Sequence, residues 1–143
     1  MIQRTLTIIK PDAVKAGHAG AILAHLEKEG FGLLAGRKTR LSGRQAEAFY
    51  EVHRERPFYR ALVSFMTEGP VWVVALERED AVAHLRRVMG ATDSKKADPG
   101  TIRSLYGTDI ERNAVHGSDS PENALREIGF FFSESELTAG TAG

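Results

Sequence analysis

The chain has no cysteine among its 143 residues. Disulfides, thiolate metal sites and thiol nucleophiles are thereby excluded, and a reducing compartment suits it. Charge of one sign is also missing, because 19 Lys and Arg balance 19 Asp and Glu. Capture of nucleic acid or acidic membrane by bulk charge is therefore not expected. The longest apolar run, Val71 to Leu76, falls far short of the ~20 residues that cross a membrane. Lys10-Pro11-Asp12 comes too early for a secretory leader. Glycine-rich phosphate loops are absent, with neither GxxxxGK nor GxGxxG after a strand, so a bound nucleotide must be held by side chains. The histidines (His18, His25, His53, His84 and His116) lack the close pairing of zinc helices, so metal ligation by the protein alone is not expected. These absences lead to a cytoplasmic protein with no membrane and no nucleic-acid partner.

What is present is ordinary for a globular domain: 42% hydrophobic and 27% charged residues. Residues 1–143 read as one domain without repeat or linker, large enough to bury a core unaided. Thr5 to Ile9 reads as a strand ended by Pro11, with Lys10 at its end. Ile22, Leu23 and Leu26 mark a helix from about Gly20 to Gly30, and Phe31 to Leu41 a second strand. Ser42 with Gln45 forms a capping box for a helix carrying Ala46, Phe49, Tyr50 and His53. Pro57 opens a helix with Phe58, Leu62 and Phe65. Val71 to Leu76 reads as a central strand covered on both faces.

A helix with Val82, Leu85 and Met89 follows and closes at Gly90. Residues 91–100 form a polar loop long enough to suggest a functional role, and Thr101 caps one turn through Ile102 and Leu105. Asn113 to His116 is the last extended piece, Ser120-Pro121 starts a helix running to Gly129, and Ser133 with Glu136 caps a final turn. The tail from Thr138 is expected to fray. The order predicts an α+β, ferredoxin-like split βαβ fold, a four-stranded antiparallel sheet with helices packed on it in one layer pair. Gly30-Phe31-Gly32 imitates an RNA-recognition strand. Glu29, Leu33 and Gly36 stand where that pattern needs a cation and rings, so it cannot stack bases.

The chemistry concentrates in Asn113-Ala114-Val115-His116-Gly117-Ser118-Asp119-Ser120. His116 lies between a strand and a helix cap, and Gly117 marks a turn that a substrate can approach. Glu127, inside the next helix, can fold back and hold one imidazole nitrogen, leaving the other free to attack. Ser118 can hold Glu127 in turn. Lys10, Arg86, Thr92 and Arg103 supply donors suited to phosphate oxygens, although each taken singly reads as a solvated side chain. Phe58 taken singly reads as core.

The chain resembles the nucleoside diphosphate kinase family from about residue 4 to residue 137. Thr7-Ile8-Ile9-Lys10-Pro11-Asp12, Arg56-Pro57-Phe58, Gly90-Ala91-Thr92, Pro99-Gly100-Thr101-Ile102-Arg103 and the segment Asn113 to Ser120 carry the likeness in order. The resemblance implies ping-pong transfer of a terminal phosphate from a nucleoside triphosphate to a nucleoside diphosphate, with Mg²⁺, through a phosphohistidine. It implies broad base specificity and upkeep of NTP and dNTP pools. His116 would be the nucleophile, with Glu127 and Ser118 orienting it and Tyr50 placing its hydroxyl near His116 and Lys10. Lys10, Arg86, Thr92 and Arg103 would bind phosphates, and Lys10 and Asn113 the sugar hydroxyls. Phe58 would stack on the base, Ile110 would cover its other side, and Asp119 would meet the magnesium through water. The family assembles as dimers grouped into tetramers or hexamers.

Two departures stand out. Ala13 replaces a common Gly, and Ser94 replaces a common Pro, which implies a looser loop or weaker subunit contacts. Two other classes compete with the enzyme: a nucleotide-binding regulatory module and a non-catalytic oligomeric scaffold. Self-labelling by a triphosphate and insensitivity to loss of His116 would separate them.

Overall fold

The structure, a computed structural model, describes residues 1–138. The tail expected to fray begins at Thr138, whose N–H donates to the Leu34 carbonyl at 3.1 Å, and its residues 139–143 lie outside the described residues. Strands β1 (Ile2–Ile9), β2 (Gly32–Thr39), β3 (Val71–Glu79) and β4 (Val115–Gly117) form one sheet in the order β2-β3-β1-β4, antiparallel throughout. With α2 (Ala19–Lys28) between β1 and β2, and α5 (Ala81–Met89) between β3 and β4, this is the split βαβ arrangement that the sequence predicts. The remaining helices are α1 (Pro11–Lys15), α3 (Gly43–Phe49), α4 (Tyr59–Met66), α6 (Ile102–Tyr106) and α7 (Pro121–Phe131).

The single layer pair is corrected, because helices cover both faces of the sheet. Strand alternation sends Leu6, Ile8, Val71, Val73 and Ala75 to one face, where they meet Phe49, Val63 and Ile128. The opposite face carries Ile9, Val74 and Leu76 against Ile22, Leu26 and Leu85. Burial of both faces is what makes Val71 to Leu76 continuously apolar. Smaller differences concern helix ends. Helix α3 stops at Phe49, which leaves Tyr50 as its C-cap and puts His53 in a single 3₁₀ turn, while its capping box at Ser42 and Gln45 forms as predicted. Helix α1 was not foreseen, since five residues carry too little periodicity to read. Within the polar loop, Ser94–Lys96 make one 3₁₀ turn.

The register positions the chemistry. His116 of β4 pairs with Ile8, and β1 ends immediately before Lys10. Two edges of one strand pair thus deliver an imidazole and an ammonium to the same end of the sheet. Gly90 closes α5 with φ +87°, and an added Cβ there would stand 2.5 Å from Thr101 Oγ1, so both backbone and space require glycine.

Candidate active site

A cavity of about 580 Å³ opens at that end of the sheet. It is lined by Lys10, Tyr50, Phe58, Arg86, Thr92, Arg103, Ile110, Asn113, His116, Asp119 and Glu127. The structure therefore brings together every candidate residue except Ser118, which lies buried behind the wall.

His116 Nε2 lies 2.8 Å from Glu127 Oε1. The Ser118 hydroxyl donates to that same oxygen at 2.8 Å and accepts from the Leu6 amide at 3.3 Å. An ionised carboxylate only accepts, so Nε2 carries the proton and Nδ1 keeps its lone pair. Phe49 and Tyr50 meet the imidazole edge-on, with ring centroids 5.4 and 5.8 Å away, and fix its plane. The Tyr50 hydroxyl is buried without a partner, and burial, with Glu127 adding to it, pushes the phenol well above its usual range. It stays a neutral donor. Gly117 lines the cavity, and a Cβ there would sit 2.8 Å from the flexible Met89 thioether and 3.0 Å from a Leu85 methyl.

The cations share one buried neighbourhood. Lys10 Nζ donates to Asn113 Oδ1 at 2.8 Å, and burial, reinforced by the Arg103 guanidinium, lowers its pKa to about 8. Arg103 donates to the carbonyls of Gly90 at 3.1 Å and Val115 at 2.8 Å, and its Nε is buried without a partner. Burial and nearby Arg86 lower the Arg103 pKa to about 10. Asn113 turns its amide to the carbonyls of Thr92 at 2.9 Å and Ile110 at 3.2 Å, tying the loop to the strand. Such a group of cations, neutralised mainly by carbonyl dipoles, suits a multiply charged anion.

Around the mouth, Arg86, Thr92, Phe58, Ile110 and Asp119 are exposed. Phe58 is 49% exposed and so is not a core residue. It leans on His53, ring centroids 5.4 Å apart. Ser94 is buried and its N–H donates to the Asp109 carbonyl at 3.3 Å, a bond that proline could not make. The loop is held by this donor in place of a fixed φ.

Sequence reading missed Asp12, Glu111, Asn123 and Arg126. The last three line the cavity, and Asp12 accepts from the Ala114 amide at 3.1 Å. Ala114 has φ +74°, and Val115 N–H returns to the Asn113 carbonyl at 2.9 Å. This is a γ-turn of the rare positive-φ kind, which stores of order 1–3 kcal/mol of strain in a non-glycine residue. Nothing in the residue type Ala announces it.

A family model described as nucleoside diphosphate kinase matches residues 3–137. A protein of that name from Wolbachia pipientis subsp. Culex pipiens (strain wPip) is 56% identical over 136 residues, 95% of this chain and 98% of the relative. One from Granulibacter bethesdensis is 56% identical over 138 residues, 96% of this chain and 99% of the relative. The crystal structure of the Aquifex aeolicus nucleoside diphosphate kinase superposes with a TM-score of 0.95 at 47% identity, covering 96% of this chain and 100% of the other. The Halobacterium salinarum nucleoside diphosphate kinase, in complex with CDP, superposes with a TM-score of 0.92 at 40% identity, covering 97% and 93%. With cations gathered around a free imidazole nitrogen, and with likeness of this extent in both sequence and structure, the chain belongs to the nucleoside diphosphate kinase family of enzymes, which transfer phosphate between nucleotides.

Proposed function

We propose that the transfer runs by a ping-pong route through a phosphohistidine on His116. The observation that carries this reading is the 2.8 Å contact of Nε2 with Glu127, which leaves the Nδ1 lone pair beside Lys10 and Arg103 in one cavity. Nδ1 attacks the terminal phosphorus of a nucleoside triphosphate, and the bond to the bridging oxygen breaks. The diphosphate leaves with that electron pair. The ring becomes cationic, and Glu127 stabilises it while Ser118 keeps the carboxylate in place. In the second half an oxygen of the acceptor diphosphate takes the phosphoryl group and Nδ1 regains its lone pair.

Lys10, Arg86, Arg103 and Thr92 hold phosphate oxygens, with the strongest effect where charge develops in transfer. Tyr50 supplies a neutral donor beside His116 and Lys10. Lys10 and Asn113 meet the sugar hydroxyls. Phe58 stacks on the base and Ile110 covers its other face. Neither reads base edges, so purines and pyrimidines serve alike, and the reaction fits upkeep of NTP and dNTP pools. Among the described residues no group of three His, Asp or Glu side chains is placed to hold a metal. A rim carboxylate, Asp119, fits a Mg²⁺ that would arrive on the nucleotide's phosphates and keep most of its water. When bound, the ion would supply neutralisation of the phosphate charge, and Asp119 would meet it through water.

We also infer an assembly built from dimers, as a tetramer or hexamer. Its support is family membership and β2, an edge strand able to pair with another chain. No described helix is long and apolar enough to cross a membrane, and a cytoplasmic setting fits the lack of cysteine. Labelled ATP with magnesium, followed by an unlabelled diphosphate chase, tests the mechanism. The protein should take up an adduct that is lost in acid, survives alkali and leaves on the chase. His116→Ala should abolish labelling and turnover, by about 10⁴-fold or more. An acid-stable adduct would assign the chemistry to a serine instead.

A further inference from the structure

The three residues Lys10-Pro11-Asp12 touch the strained turn before His116 at three points. The Lys10 amide donates to the Ala114 carbonyl at 2.8 Å. Lys10 Nζ donates to Asn113 Oδ1 at 2.8 Å, and Asp12 Oδ2 accepts from the Ala114 amide at 3.1 Å. The central residue of the γ-turn is thus gripped at both its carbonyl and its amide, one from each of the two peptides that flank it, by one short stretch of chain. His116 itself is held by other means: Thr7 Oγ1 on its carbonyl at 2.7 Å, the β1 ladder, and Glu127 on its ring. Two rigid groups therefore meet at Ala114. One is the nucleophile on its strand. The other is Asn113, bound to Lys10 and to the loop.

A non-glycine residue persists at φ +74° only where its surroundings over-determine it. Ala114 is fully buried, so water cannot replace the carboxylate as partner of its amide. Asp12 is an uneconomical choice for stability alone. Its Oδ1 is buried without a partner, and burial raises its pKa above the usual carboxylate range despite Lys10 nearby.

We propose that Asp12 is a positioning residue for phosphoryl transfer: by fixing the Ala114 amide it sets where Asn113 and Lys10 place the nucleotide relative to His116 Nδ1. The role needs an acceptor oxygen at one point in space and does not need a negative charge. It rests on the phosphohistidine reading above. Small displacements of a bound reactant away from its near-attack position are costly in rate, so loss of the anchor should appear in the transfer step before it appears in affinity.

The experiment compares Asp12→Asn, Asp12→Glu and Asp12→Ala with the parent protein. Each is phosphorylated at saturating ATP with magnesium, and separately by phosphoramidate, a small donor with no nucleoside to position. Labelling of the parent on His116 tests the underlying reading independently: if the parent takes no acid-labile label, that reading fails whatever Asp12 does. Given parent labelling, Asp12→Ala should slow transfer from ATP by about tenfold or more with KM within about threefold. Transfer from phosphoramidate should stay near the parent rate. Asp12→Asn, which keeps the acceptor and drops the charge, should recover most of the ATP rate, whereas Asp12→Glu, which keeps the charge and moves the oxygens, should not. Equal loss with both donors, or recovery by Glu and not by Asn, would overturn the proposal. The Asn and Glu arms also decide the matter if Asp12→Ala does not fold.

Discussion

The floor and the rim of the cavity are built on different principles. On the floor, His116, Glu127, Lys10, Asn113 and Arg103, with Ser118 behind them, are bound to one another or to main-chain carbonyls, and most are buried. On the rim, Arg86, Thr92, Phe58, Ile110 and Asp119 reach into solvent. A preorganised floor can stabilise developing charge without reorganising, while an exposed rim can accept nucleotides of different base and phosphate number. The contrast teaches that similar residue types carry different burdens. Arg103 donates to two main-chain carbonyls, whereas Arg86 makes no side-chain hydrogen bond or ion pair among the described residues.

That difference between the arginines gives the largest expected effect. Arg86→Ala and Arg103→Ala should each lower kcat by about 10²-fold. Only Arg103→Ala should also lower Tm, by about 4 °C or more, because the Gly90 and Val115 carbonyls lose their donor. Equal thermal stability of the two variants, read by calorimetry, would erase the distinction between floor and rim. A smaller effect belongs to Glu127→Gln, which keeps the shape and removes the charge. Steady-state kinetics should show kcat down about tenfold or more with KM nearly unchanged if, as proposed, Glu127 supports the ring and not the nucleotide. A rise in KM with kcat intact would move Glu127 to the binding side.

The buried ammonium makes the floor pH-sensitive. With the Lys10 pKa lowered to about 8, kcat/KM should fall above pH 8, approaching about tenfold per unit. Stability follows the opposite sign. The unfolded lysine titrates at its ordinary 10.5, so between about 8 and 10.5 the unfolded chain binds more protons and this group's contribution rises with pH. A kcat/KM profile flat to pH 9 would show that the ammonium is not required. The smallest effect is Phe58→Ala, which should raise KM about fivefold or more and by a similar factor for all bases. Loss confined to one base, in a panel of four triphosphates, would mean that the rim reads base edges.

Legibility in the sequence followed locality. The capping box at Ser42, the Thr101 cap, the Gly90 stop and the unbroken apolar run of Val71 to Leu76 are local signals, and each formed where expected. Residues His116, Ser118 and Glu127 fall within one strand–turn–helix segment, so their proximity could be read from spacing. Asp12 and Ala114 could not be read in this way. Their contact joins residues 102 positions apart, and a positive φ at alanine leaves no trace in composition. The apolar run of Val71 to Leu76 announced a strand covered on both faces, but which helices lie on which face was hidden, because an apolar helix face states that it is buried and not against which side.

By itself the sequence determined the longer elements, their caps, the absence of thiol and glycine-loop chemistry, and the motifs that identify the family, all of which depend on residue type and near neighbours. Tertiary structure alone decided which imidazole nitrogen is left free, which arginine is buried, and how burial lowers the Lys10 pKa. Those properties arise from removal of water and from partners distant in the chain, and only the packed sheet brings such partners within hydrogen-bond reach.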